Sequence, residues 1–212
     1  GYPPVEGASD LRRRLADYLS VNPENFVVTD GASQALYLAM LTGLAAGDHV
    51  FAPSPVFPAY TRMATLRECI PHTYSCKDEP DAIIAQLNTA GPRMAKGLVI
   101  NSPHNPTGHT WSAGKLAHVI EEATRRGILT ILDDTYHWTE ADASQITRLA
   151  KLASNGACAE HTIAVASLGK YLCLPGLRLG FAVSRNTNLI GRMVEAKRHL
   201  SHASCGSSQR IA

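Results

Sequence analysis

Apolar residues in this chain fall into short unbroken runs separated by polar turns and by stretches with helical spacing. The runs Phe26-Val27-Val28, His49–Ala52, Ile70–Ser75, Gly97–Asn101, Leu129–Asp133, Thr162–Ser167 and Leu179–Ser184 read as strands, about seven in all. Between them lie helices of different character. From Ser9, which can cap it, to Leu19, the apolar positions Leu11, Leu15, Tyr18 and Leu19 share one face, the mark of a surface helix. From Ala32 to Met40 the pattern is apolar nearly all round, which predicts a buried helix. A third helix lies between Ser112, a suitable N-cap, and Gly127, a suitable stop, with Leu116, Val119, Ile120 and Ala123 as its inner stripe. This alternation predicts an α/β fold, a three-layer α/β/α sandwich around a mostly parallel sheet of about seven strands. No repeat or composition break divides it, so residues 1–212 read as one domain. In open sheets of this kind ligands bind beyond the carboxyl ends of the strands.

Composition narrows the function classes. With 212 residues, 45% of them hydrophobic, the chain can bury a sizeable core. A net charge of +2 with interspersed signs carries no footprint of a nucleic-acid or anionic-membrane binder, and Arg12-Arg13-Arg14 reads as the wet face of a helix. No apolar stretch approaches the roughly 20 residues that span a bilayer, and the opening Gly-Tyr-Pro-Pro-Val-Glu lacks signal-peptide character, so a cytoplasmic location is expected. Five cysteines, Cys69, Cys76, Cys158, Cys173 and Cys205, show no CxxC spacing and read as buried free thiols. The nine histidines form no HExxH pattern, and no metal is expected.

Polar motifs recur at the predicted strand ends. In Thr29-Asp30-Gly31-Ala32-Ser33 a strand turns into a helix, leaving backbone N–H groups at the positive end of the helix dipole, with a Ser33 hydroxyl beside them. A phosphate suits that cup; an ordinary turn with a small-residue cap accounts for it equally well. In Pro55-Val56-Phe57-Pro58-Ala59-Tyr60, Phe57 can stack on a flat ring or simply pack a loop. The string Asn101-Ser102-Pro103-His104-Asn105-Pro106-Thr107-Gly108 is stiffened by two prolines and lets Asn105 offer an amide donor to a phenolate oxygen. Ile131-Leu132-Asp133-Asp134-Thr135-Tyr136 ends an apolar strand in acids. A buried carboxylate needs a partner, and a protonated pyridine nitrogen would serve Asp133, while Tyr136 can donate to the same phenolate. Metal ligation or helix capping by Asp133 and Asp134 is the alternative. Lastly, the run from Ser167 to Gly180 places Lys170 just past a strand, with Ser167 and Arg178 as anion ligands. Such a set suits a pyridoxal phosphate site with a Schiff-base lysine. His104, His109 and His137 lie nearby and read as solvated loop histidines.

Taken in order, Thr29–Ser33, Pro55-Val56-Phe57, Asn101–Gly108, Asp133–Tyr136 and Ser167–Gly180 resemble the large domain of fold-type-I pyridoxal phosphate enzymes, specifically the class I and II aminotransferases, nearly end to end. Even Gly1–Gly7 followed by Leu11-Arg12 is similar to the family's segment ahead of its first large-domain helix. The resemblance implies catalytic roles for Lys170, Asp133 and Tyr136. Lys170 would carry pyridoxal 5'-phosphate as a Schiff base and, once freed, act as general base. Asp133 would meet the pyridine nitrogen, Asn105 and Tyr136 the ring oxygen, and Phe57 the ring face. Phosphate ligands would be Ala32, Ser33, Ser167 and Arg178, with Tyr2 reaching the neighbouring subunit's phosphate across a homodimer with shared active sites. The implied activity is amino-group exchange between an amino acid and a 2-oxo acid. The same residues would also serve a lyase, a cyclising synthase or an amino-acid oxidase of this fold type, or a non-catalytic regulatory domain. The family's amino-terminal arm and carboxyl-terminal small domain, which carries the arginine for the substrate α-carboxylate, are expected to be absent from these 212 residues, which read as an isolated large domain, a naturally short paralogue or a fragment of a longer enzyme.

Overall fold

A computed structural model of the chain describes residues 1–89, 95–137 and 156–212. Its elements are β1 (Phe26–Thr29), β2 (His49–Ser54), β3 (Ile70–Ser75), β4 (Ala95–Asn101), β5 (Leu129–Asp133), β6 (Thr162–Ser167) and β7 (Gly180–Val183). The helices α1 (Ser9–Leu19), α2 (Ala32–Gly43), α3 (Pro58–Leu66), α4 (Pro80–Asn88), α5 (Ala113–Arg125) and α6 (Thr187–Leu200) alternate with them. The seven strands form one sheet in the order β1-β7-β6-β5-β4-β2-β3. Strands β2 to β6 pair in parallel, while β7 runs antiparallel to both β1 and β6. The α/β three-layer arrangement expected from the sequence is present.

Period-two alternation sorts each strand's side chains between two cores. Phe26, Val28, Leu98, Ile100, Leu132 and Phe181 pack against Leu11, Leu15 and Leu19 of α1 and Leu116, Val119 and Ile120 of α5. Val27, Val50, Val99, Ile131, Val165 and Ala182 face the opposite way, against Leu36, Leu38 and Met40 of α2 and Leu189, Ile190 and Met193 of α6. Because both faces are covered, the central strands are apolar at almost every position, which is why they stand out as runs. Helix α2 touches strands β1, β5, β6 and β7 and also α3 and α6, so its apolar circumference is satisfied on most sides.

Local details depart from the sequence reading in several places. Ala8, not Ser9, occupies the N-cap of α1, and Ser9 is its first helical residue. Tyr18 is exposed, and Ala16 takes the inner position assigned to it. Arg12 leaves the wet face of the arginine run: its Nη1 donates to the Pro23 carbonyl at 3.1 Å. Ser112 does cap α5, accepting from the Lys115 N–H, and Gly127 stands past its end at φ 66°. Among the cysteines, Cys69, Cys76 and Cys158 are buried, but Cys173 and Cys205 are exposed, since both sit outside regular elements where no layer covers them.

One buried charge ties the amino-terminal segment to this scaffold. Lys197 of α6 is wholly buried and donates from Nζ to the Val5 carbonyl at 2.8 Å, while Val28 N–H of β1 donates to the Glu6 carbonyl at 2.9 Å. Burial lowers the lysine from 10.5 to about 8, against the pull of Asp30 and Glu6. Between those two values the unfolded chain binds a proton that the folded chain does not, so this residue makes stability rise with pH from about 8 to about 10.5. Urea unfolding of the wild type and Lys197→Met across that range should show a pH-dependent difference; parallel curves would mean that the ammonium is solvated.

Candidate functional site

The site begins where β1 turns into α2. Gly31 is the N-cap of α2 at φ 87° and provides no side-chain cap, so the first-turn N–H groups stay available at the positive end of the helix. Thr29 Oγ1 donates to the Gly31 carbonyl at 2.9 Å and fixes the turn. Beneath it, Gly180 of β7 pairs with Thr29 on one side and Ser167 on the other. A Cβ on Gly180 would lie 2.6 Å from the Ala32 nitrogen, the Gly31 carbonyl carbon and the Ala166 carbonyl oxygen, so only glycine lets the helix start settle this close to the sheet. Arg178 closes the cup from above. Its Nη2 would sit 2.8 Å from a Cβ on Gly31, and among the described residues its guanidinium forms no ion pair.

Strand β6 delivers the lysine. Ser167 ends the strand, and its hydroxyl accepts from the Lys170 N–H at 3.3 Å, winding the single helical turn Leu168–Tyr171. From that turn Lys170 extends over the Tyr136 ring, with Nζ 5.8 Å from the centroid.

Asp133, at the end of β5, forms the floor. Tyr60 of α3 donates its hydroxyl to Asp133 Oδ2 at 2.8 Å, and the Thr135 N–H donates to Oδ1 at 3.1 Å. Burial raises the carboxyl's pKa; the bonds from Thr135 and Tyr60 oppose that shift without cancelling it. Tyr60 itself, 1% exposed, is raised well above the ordinary phenol range, chiefly by burial and then by the Asp133 charge, so it stays protonated and donates. Phe57 meets the Tyr60 ring edge-on at 5.4 Å. Next to Asp133 in the sheet stands Asn101, the last residue of β4. Its amide nitrogen donates to the Asp133 carbonyl at 2.9 Å, and its oxygen accepts from the Asn105 N–H at 2.7 Å.

Ala32, Ser33, Phe57, Asn105, Asp133, Tyr136, Ser167, Lys170 and Arg178 therefore line one cleft of about 200 Å³, joined by Tyr60, Asn101, Thr135, Leu36 and Gly31. Tyr2 lies elsewhere: it is 88% exposed, with its ring edge-on to His202 at 5.5 Å. His104 and His137, read from sequence as solvated, are buried. His104 Nδ1 lies 2.7 Å from Thr107 Oγ1, holding the Asn105 loop, and burial lowers its pKa. His137 packs 3.8 Å from the carboxylate of Asp134, which is itself fully buried. Among the described residues no three side chains of ligating type gather as a metal site. Tyr60 and Asn101 lie within the polar motifs at the strand ends, but their spacing shows no partner; only the alignment of α3, β4 and β5 brings them to Asp133.

The donor set has a direction. One end, with the α2 start, Ser33, Ser167 and an uncommitted guanidinium, suits a phosphate dianion. The middle has Phe57 and Leu36 for a flat ring. The far end is a buried carboxylate that favours a cationic nitrogen, and Lys170 offers an amine to an electrophilic carbon.

Known proteins share this fold and stretches of this sequence. The family model for aminotransferase class I and II matches residues 1–212. A protein of Mycobacterium tuberculosis named "Probable N-succinyldiaminopimelate aminotransferase DapC" is 31% identical over 213 residues, covering 95% of this chain and 52% of its own length. An aspartate aminotransferase of Pyrococcus horikoshii is 29% identical over 196 residues, covering 86% of this chain and 48% of its own. The solved structure of N-succinyldiaminopimelate aminotransferase from Mycobacterium tuberculosis superposes with a TM-score of 0.86 at 28% identity, over 99% of this chain and 56% of that one. The chain thus spans about half the length of the curated relatives it matches.

Gly180→Ala tests the close contact on which the cup rests. Three backbone atoms at 2.6 Å cannot all give way, so the variant should lose about 1–3 kcal/mol of stability in denaturant unfolding. An unchanged midpoint would show that the helix start moves freely.

Proposed function

The chain belongs to the class I and II aminotransferase family, and we propose that it is the cofactor-binding large domain of a pyridoxal phosphate-dependent enzyme that moves an amino group between an amino acid and a 2-oxo acid. The observation that supports this most strongly is the lining of a single cleft by Lys170, Asp133, Asn105, Tyr136 and Arg178, drawn from separate loops at the carboxyl edge of the sheet. The bound cofactor supplies a ring that takes up the charge left when a proton leaves the substrate Cα.

The chain's own residues then have distinct tasks. Ala32 and Ser33 at the start of α2, with Ser167 and Arg178, hold the phosphate, and Phe57 flanks the ring. Asp133 keeps the ring nitrogen protonated. Its buried carboxylate, strengthened as a base by desolvation, gains a cationic partner, and Tyr60 and Thr135 fix its oxygens in place. Asn105 and Tyr136 donate to the ring oxygen. Lys170 would hold the cofactor through Nζ, and the same amine, once free, would act as the base that takes up the substrate Cα proton and passes it on.

Tyr2, exposed on the surface outside the cleft, fits the proposal that a second copy of the chain completes the phosphate site in a homodimer. Substrate recognition by an arginine of a separate small domain is part of the same proposal. Among the described residues no helix is long and apolar enough to cross a membrane.

Borohydride reduction of the chain with pyridoxal phosphate, followed by peptide mapping, should place the label on Lys170 and lose it in Lys170→Ala. A label spread over surface lysines, or none, would overturn the reading. Asp133→Asn should retain cofactor while turnover with amino acid and labelled 2-oxoglutarate falls by a factor on the order of 10²–10³, the scale for losing one preorganised electrostatic contact. Full turnover in that variant would remove Asp133 from the mechanism.

A further inference from the structure

We propose that Asn101 is a positioning residue that sets the spacing between the two ends of the ring site, an inference that rests on the cofactor reading above. Asn101 is 2% exposed and sits at the end of β4, paired in register with Asp133 at the end of β5. Its one amide group is used in two directions. Nδ2 donates to the Asp133 carbonyl at 2.9 Å, and Oδ1 accepts the Asn105 N–H at 2.7 Å. The first bond holds the backbone of the residue assigned to the ring nitrogen. The second holds the backbone of the residue assigned to the ring oxygen.

The rest of the loop explains why this clamp matters. After β4 the chain leaves the sheet through Ser102 and Pro103, and its turn closes on itself through Gly108 N–H to His104 O at 2.7 Å and His104 N–H to His109 O at 2.8 Å. Those bonds shape the turn but do not tie it to β5. The Ser102 N–H, which donates to the Asp133 carbonyl at 3.3 Å, and the shorter pair through Asn101 do so. Of these, only the Asn101 side chain reaches Asn105. An amide carries its donor and its acceptor on separate atoms, so an ionised acid, which only accepts, or an alanine cannot hold both bonds, and a serine has only one shorter-reaching oxygen for the two. The asymmetry lets the two halves be separated. Asn101→Asp keeps an acceptor for Asn105 N–H and loses the donor to Asp133, while Asn101→Ala loses both.

The protein without cofactor gives the first readout. In Asn101→Ala, hydrogen exchange of the Asn105 amide should speed up at least tenfold, while that of Gly108, bonded within the turn, stays at the wild-type rate. In Asn101→Asp the Asn105 amide should remain protected. The loaded protein gives the second. Donation from Asn105 favours the anionic ring oxygen, so its displacement should raise the pH midpoint of the cofactor's visible absorption in Asn101→Ala, and less in Asn101→Asp. Unchanged Asn105 exchange would overturn the clamp, and so would an unchanged midpoint in a variant whose Asn105 amide has been freed. Should Asn101→Ala fail to fold, Asn101→Asp decides alone: equal loss of protection at Asn105 would refute the division of roles. A wild type without visible absorption would defeat the cofactor reading and still leave the Asn105 exchange to judge the clamp.

Discussion

A carboxylate buried at the end of a parallel strand is the constraint around which this molecule is organised. Asp133 lies where β5 stops, 7% exposed, and a charge so placed costs several kcal/mol unless its surroundings answer it. The answer comes from two bonds, the Tyr60 hydroxyl from α3 and the Thr135 N–H from its own turn, while Asn101 from β4 fixes the backbone that carries the carboxylate. Residual basicity remains because desolvation outweighs these bonds. A carboxylate left in that state suits a cationic partner at this point of the cleft.

The opposite end of the cleft shows the complementary device. There, a helix start, two hydroxyls and a guanidinium with no ion pair among the described residues are brought together by a glycine that removes a side chain from the sheet. Gly180 does not contact the cleft, yet its missing Cβ lets α2 approach the sheet closely enough for Ala32 and Ser33 to face Ser167. A negative group at one end and an anion-binding cup at the other give the cleft an electrostatic axis, and Lys170 stands between them against the Tyr136 ring. The pairing of an ordered scaffold with polar loop residues at one edge follows the general behaviour of open α/β sheets.

Sheet topology adds one detail that pattern could not provide. The antiparallel β7 lies between β1 and β6, so β1 and β6 run the same way and end on the same edge. Residues of the first motif, Thr29–Ser33, and of the last, Ser167–Arg178, thereby meet across one strand although more than a hundred positions separate them. Lys197 provides a similar closure on the other side, joining α6 to the amino-terminal segment by a single buried bond.

The sequence by itself determined the strands as apolar runs and the helix between Ser112 and Gly127, and it offered ten candidate site residues, of which all but Tyr2 line one cleft. Strands buried on both faces are continuous apolar runs, and the polar strings that interrupt them carry chemistry that a loop does not otherwise need. Tertiary structure decided what depends on distance rather than order. It placed Tyr60 and Asn101 on Asp133, put Gly180 beneath the start of α2, and buried His104 and His137, which local sequence had left in water. It also turned Ser9 from cap to first helical residue and exposed Cys173 and Cys205. Each of these turns on which elements pack together, and packing partners are set by the fold as a whole, not by the residues on either side.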